Sequence, residues 1–182
     1  MKKERFEAFT DAVIAIILTI LVLEIHLPND NHSWQALIAM APQFGAYVLT
    51  FIFIATMWVN HHYMFSEVKV INNQTIWLNI LLLFFASLLP ATTAWFGTDI
   101  FSRVAGVLYV LNMVLYNIVT ALLRRQVVKL NHITDMGNLL QSERLSFVIN
   151  TITLVVTFFY PPFLFLGLLV NILVWFAPKP AK

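Results

Sequence analysis

A chain of 182 residues with 60% apolar residues, 11% charged residues and a mean hydropathy of +0.81 lies far from soluble composition, so a water-soluble globular domain is excluded. A net charge of +2 excludes a nucleic-acid-binding surface, and the absence of cysteine excludes thiolate chemistry. At roughly 20 residues per crossing, the length accommodates about six membrane spans as one unit covering 1–182, with no soluble domain.

The first apolar segment covers 8–27 and ends at "HLPNDNHS", where Pro28 and the Asn/Asp cluster predict a turn. Met1, Lys2 and Lys3 precede it as in a signal peptide, but the long apolar run and the lack of a small-residue cleavage site predict a retained span. The second, 34–63, contains Pro42 near its start and is long enough to tilt or to project from the bilayer. The third, 74–96, carries Pro90 in its second half, which predicts a kink. The fourth covers 101–123. Segments 144–160 and 163–176 are short and joined by "YPP", so two short helices with a turn at Pro161 and Pro162 are expected, the alternative being one kinked helix. No internal duplication is visible.

Charge sets the orientation. With six spans and both termini cytoplasmic, Lys2, Lys3, Arg5, Lys69, Arg124, Arg125, Lys129, Arg144, Lys179 and Lys182 all fall inside, and Arg103 alone falls outside. Five or seven spans would scatter these cations over both sides. The expected fold class is therefore an all-α polytopic membrane protein with six transmembrane helices per subunit.

The stretch "RFEAFTDAVIAIILTI" puts Arg5 and Asp11 at the mouth of the first span. Arg5 and Phe9, four residues apart, share a helix face, whereas Asp11 points elsewhere, so the two charges do not form a simple intrahelical pair. The plain reading has Thr10 or Asp11 capping the helix while Arg5 snorkels to headgroups. The other has Asp11 within the hydrocarbon edge, where ionisable groups face a bundle interior and have partners on other helices. Candidates occur in "MWVNHHYMF": His61 or Asn60 as a donor to Asp11, with Trp58, His62 and Tyr63 as interfacial anchors. Adjacent histidines are poorly spaced to chelate one metal on a helix, so no metal and no cofactor are expected.

"RFEAFTD" resembles the R-x-x-x-F-S-D signature on the first helix of the transmembrane protein 175 family of lysosomal-type potassium channels, in the short prokaryotic form. Arg5, Phe9 and Asp11 match, and Thr10 keeps the hydroxyl of the usual serine. The resemblance extends to "W-x-N-H-H", Trp58 to His62, and to one six-span unit filling the chain. It implies a homotetramer in a prokaryotic cell membrane, potassium ions as the permeant partner, first helices lining a central pathway, and the signature residues with Trp58, Asn60 and His61 forming a buried network that ties that helix to its neighbours.

Ala12, Ile16, Thr19, Leu23 and His26 follow helical spacing along the first span, with Ile20 beside them. On a lone helix such a stripe means packing or lipid contact. Around a fourfold axis, Ile16 and Leu23 would become hydrophobic rings with a belt of Thr19 hydroxyls between them, and the resemblance associates the positions of Ile16 and Thr19 with constriction and potassium preference. No T-V-G-Y-G run exists, which excludes a carbonyl-cage filter, and no arginine-rich helix exists, which excludes a voltage sensor. Glu24 stands near the outer end of the first span to attract cations, with Asp30 and Asp99 more simply read as solvated loop charges. The rival classes are a small secondary transporter, favoured only by the midspan Pro90 and Asn112, and a non-conducting scaffold. An enzyme is not expected, because Ser146, Asp135 and His132 are scattered and no nucleophile has an evident base.

Overall fold

The first helix, α1 (Lys3–Leu23), starts five residues before the expected span and stops four short of its end. Its charged first turn is itself helical, with Lys3 and Glu7 forming an i, i+4 ion pair at 3.8 Å. Thr10 and Asp11 therefore lie inside the helix, and neither caps it. At the other end the chain leaves the helix after Leu23, so His26 lies beyond it, its Nδ1 2.9 Å from the Glu24 carbonyl. His26 is thus not part of a helical stripe.

The computed structural model describes residues 2–133 and 137–176, with side chains from 140 in the second stretch; Met1, Asp135, Lys179 and Lys182 lie outside the described residues. The expected segment 34–63 is two helices, a short α2 (Trp34–Ala39), capped by the Ser33 side chain, and α3 (Ala41–Ser66). They part at Met40, because Pro42 cannot continue the ladder from α2 but fits the first turn of α3. Pro90 acts similarly between α4 (Asn73–Ser87) and α5 (Leu89–Thr98), as the kink expectation requires. Asn112 donates from Nδ2 to the Phe85 carbonyl at 3.1 Å, in the last turn of α4.

The fourth segment is extended most by the structure: α6 (Arg103–Asn131) runs eight residues past 123. Arg124 ends the apolar run in sequence, yet its side chain is buried, paired with Glu143 and 5.2 Å from the Trp175 ring centroid. It is an interior group and not the loop cation assumed in counting charges. His132 closes the helix in the left-handed conformation (φ 52°), which supplies its C-terminal stop.

The last two segments are α7 (Gly137–Phe159), longer than expected at its start, and α8 (Phe163–Phe176). The Tyr160–Pro161–Pro162 link reverses the chain, so the two-helix expectation holds and the single kinked helix does not. Gly167 allows α8 against α7, because a Cβ there would overlap the Thr153 side chain, whose own Cβ would be 2.8 Å away. Asn171 Nδ2 donates to Ser146 Oγ at 3.0 Å and Asn150 Oδ1 at 2.6 Å, and Asn117 on α6 donates to the same serine at 2.9 Å.

α1 packs on α3, α4 and α5; α4 and α5 lean on α6; α6 carries α7; and α8 folds back onto α3. Among the described residues, five helical stretches are long and apolar enough to cross a bilayer: α1, α3, α4 with α5, α6, and α7 from Leu140, while α8 is a shorter apolar helix of 14 residues. The fold is all-helical.

Candidate functional site

The two sides of α1 have opposite fates. Phe6, Thr10, Ile14, Ile17 and Leu21, spaced by four, four, three and four residues, form its buried stripe. Arg5, Ala12, Ile16, Thr19 and Leu23 are exposed, Ile16 at 56% and Leu23 at 73%. At 100° per residue these five cluster roughly 150° around the helix from the buried stripe, with Ile20 (41% exposed) at their edge. The helix is held on one side and bare on the other.

The held side is fixed by a closed ring of contacts. Thr10 Oγ1 donates to the Phe6 carbonyl at 3.1 Å and accepts from Asn79 Nδ2 at 2.8 Å. Asn79 Oδ1 lies 2.9 Å from His61 Nε2, which makes that nitrogen the donor. The His61 ring stacks on Phe65 at 4.5 Å, and Phe65 meets Phe6 at 4.9 Å, which returns the circuit to α1. Thr10, His61 and Asn79 are all buried, so each depends on these partners for its hydrogen bonds. The threonine methyl sits in the same buried setting.

Asp11 has a different partner from those expected. Trp58 Nε1 donates to Asp11 Oδ1 at 2.8 Å, with Trp58 stacked on His62 at 6.0 Å. His61 is committed to Asn79, and Asn60 donates to the Thr56 carbonyl at 2.7 Å and reaches the Trp175 carbonyl at 3.5 Å. Asp11 and Trp58 are exposed on the chain, so this bond sits at the rim of the contact and not in a buried core. Phe9 is 52% exposed. Arg5 has no ion pair or hydrogen bond to another described residue; it stands seven residues before Ala12, at the foot of the bare stripe.

Asn79 was missed in the sequence, although an isolated asparagine inside "TIWLNILLL" carries a signal: a polar side chain among lipid-soluble neighbours faces protein, not lipid. At the far end of α1, Gln43 Nε2 donates to the Glu24 carbonyl at 3.3 Å and fixes the helix exit. Asp99 accepts from the Phe101 backbone at 3.0 Å and serves its own turn.

On the bare side, Thr19 Oγ1 donates its proton to the Ile16 carbonyl at 2.7 Å. That bond satisfies the hydroxyl hydrogen and leaves oxygen lone pairs to face outward, a weak acceptor between two apolar side chains. A rigidly held helix bearing such a face can offer rings of identical groups to symmetric copies.

Residues 5–90 match the family model described as the endosomal/lysosomal potassium channel TMEM175. A protein named "Potassium channel" from Chryseobacterium sp. is 34% identical over 165 residues, 88% of this chain and 85% of that one. The mouse "Endosomal/lysosomal proton channel TMEM175" is 36% identical over 114 residues, 57% of this chain but 22% of that much longer protein. The crystal structure of a lysosomal potassium-selective channel TMEM175 homolog from Chamaesiphon minutus superposes with a TM-score of 0.85, at 26% identity and with 95% of each chain covered.

Proposed function

Because this chain belongs to the TMEM175 family of endosomal/lysosomal potassium channels, we propose that it is a bacterial integral membrane protein that conducts cations passively and prefers potassium. The family is one of ion channels and not of enzymes. In this reading α8 completes six spans, both termini are cytoplasmic, and four copies place their α1 helices around a central pathway.

The observation that carries the reading is the bare face of α1. An apolar stripe with one hydroxyl, on a helix locked to its own subunit from the opposite side, is what a pore-lining element requires. Rings of Ile16 and Leu23 are hydrophobic constrictions that open and close by wetting, and the outward lone pairs of Thr19 supply the polar belt between them. Ala12 and Ile20 flank the path. The Thr10–Asn79–His61 chain and the Trp58–Asp11 bond hold α1 at a set rotation, so that the same residues face the axis in every copy. Arg5, without an ion pair or hydrogen bond among the described residues, completes its pairing across the subunit boundary.

Mutation of the stripe tests the reading directly. Ile16→Asn wets the narrowest ring and raises the current with weakened selectivity, whereas Thr19→Val lowers potassium preference over sodium more than Leu23→Ala does. Reversal potentials under potassium, sodium and proton gradients read both effects. Unchanged current and selectivity in well-assembled Ile16→Asn protein would remove Ile16 from the path, and equal effects at Thr19 and Leu23 would remove the special role of the hydroxyl.

A further inference from the structure

Away from α1, the outer groove between α6 and α7 brings exposed apolar side chains beside cations that have no ion pair among the described residues. Leu111, Ile118 and Leu122 on α6 are exposed along one stripe that continues, at the same helical spacing, into exposed Arg125 and Lys129. α7 runs antiparallel beside it, and its exposed Phe147 and Val148 lie next to exposed Arg144. The Arg124–Glu143 pair fixes the register of the two helices. By that register Arg125 lies one residue inward of the pair and Arg144 one residue outward of it, about 3 Å apart along the helix axes and within reach of the two long side chains. Glu143, the acid that would otherwise offset them, is committed to the buried Arg124.

Depth is set by the helix itself. α6 spans 29 residues, about 43 Å at 1.5 Å per residue, against a hydrocarbon core of about 30 Å. Its outer end is marked by Arg103, whose guanidinium lies 4.9 Å from the Phe158 ring centroid near the end of α7. Roughly 20 residues further, at Leu122 and Leu123, the helix reaches the opposite hydrocarbon edge, which places Arg125 at headgroup level and Lys129 one turn beyond.

We propose that the inner end of the α6–α7 groove binds an acidic phospholipid. Its phosphate is held between Arg125 and Arg144 with Lys129 as a third cation, and its acyl chains lie along Ile118 and Phe147. Two guanidiniums suit a phosphate better than two ammonium groups, because their planar donors match its oxygens. The bound lipid clamps α7 to α6 at the level where the buried ion pair already joins them.

Native mass spectrometry of the assembled protein, titrated with phosphatidylglycerol or with phosphatidylcholine of the same chains, tests the assignment. Phosphatidylglycerol is expected to bind preferentially, and Arg125→Ala/Arg144→Ala to weaken it roughly thirtyfold, with an unchanged size-exclusion profile. Lys2→Ala/Lys69→Ala removes the same charge from the same end but leaves the groove intact, and binding should persist. Arg125→Lys/Arg144→Lys should retain most of it. Equal losses in the two alanine pairs would reduce the effect to diffuse charge, and absence of any preference for phosphatidylglycerol would overturn the site.

Discussion

Asn79 is the joint through which α3 and α4 hold α1, and its removal has a calculable cost. Asn79→Ala deletes two interhelical hydrogen bonds, to Thr10 at 2.8 Å and to His61 at 2.9 Å, in a position 1% exposed. Interhelical bonds in membrane proteins average about 0.6 kcal/mol and reach about 1.7, so the two together predict a loss of roughly 1–3 kcal/mol. Thr10→Val keeps the shape and deletes only the hydroxyl. The assay is a double-mutant cycle of wild type, Asn79→Ala, Thr10→Val and the double variant, each followed by reversible unfolding in mixed micelles. If the two side chains are bonded, the double variant is less damaged than the sum of the singles by about 0.6–1.7 kcal/mol. Additivity to within about 0.3 kcal/mol would show that Thr10 and Asn79 do not hold each other, and the account of how α1 is oriented would fail.

Trp58→Phe keeps an aromatic ring but removes the donor to Asp11; since that bond is exposed, unfolding should show a loss of only about 0.5–1.5 kcal/mol, and a larger one would mean that Asp11 is buried in the assembly. Glu143→Gln removes the negative charge that meets the buried Arg124 and should destabilise by about 3–5 kcal/mol, while the paired change Arg124→Met/Glu143→Met should cost less than that single variant. Gly167→Ala overpacks the α7–α8 contact at Thr153 and should cost about 1–3 kcal/mol in the same assay, with partial recovery on Thr153→Ser.

What was legible in the sequence follows from which forces act locally. Hydrophobic runs and proline placement read correctly as helices and breaks, because lipid exposure and a missing N–H leave their mark within a few residues; Pro90 and the Pro161–Pro162 turn are examples. Helix ends were less visible wherever charge was taken for solvent exposure. Arg124 reads as a terminus, yet α6 continues because Glu143, nineteen residues away, supplies the partner that makes burial tolerable. The side of α1 that faces away from its neighbours was legible in the Ala12, Ile16, Thr19 and Leu23 stripe, but which side chains meet across a helix pair was not. His61, Asn60 and Trp58 are neighbours in sequence at one depth, and only the packing of α3 against α1 decides that Trp58 and not His61 meets Asp11. The lone asparagines were the underused signal, since Asn79, Asn112, Asn117, Asn150 and Asn171 are all buried and each sits in an otherwise apolar run.

The Thr10 substitution in the R-x-x-x-F-S-D pattern has a clear reading in this geometry. The interaction uses the hydroxyl as acceptor from Asn79 and donor to Phe6, and both roles survive the added methyl. The signature residues divide into two tiers: Thr10 in the buried circuit, and Asp11, Phe9 and Arg5 at exposed positions that a second copy can cover.

The central claim, that the bare face of α1 lines a cation path, is tested most directly by recording purified protein in a planar bilayer with potassium on one side and sodium on the other. The account predicts discrete unitary steps whose reversal potential favours potassium, and a larger unitary current when Ile16 is replaced by asparagine. A bilayer that stays silent with assembled protein, or steps whose size and reversal potential are indifferent to Ile16→Asn and Thr19→Val alike, would contradict it.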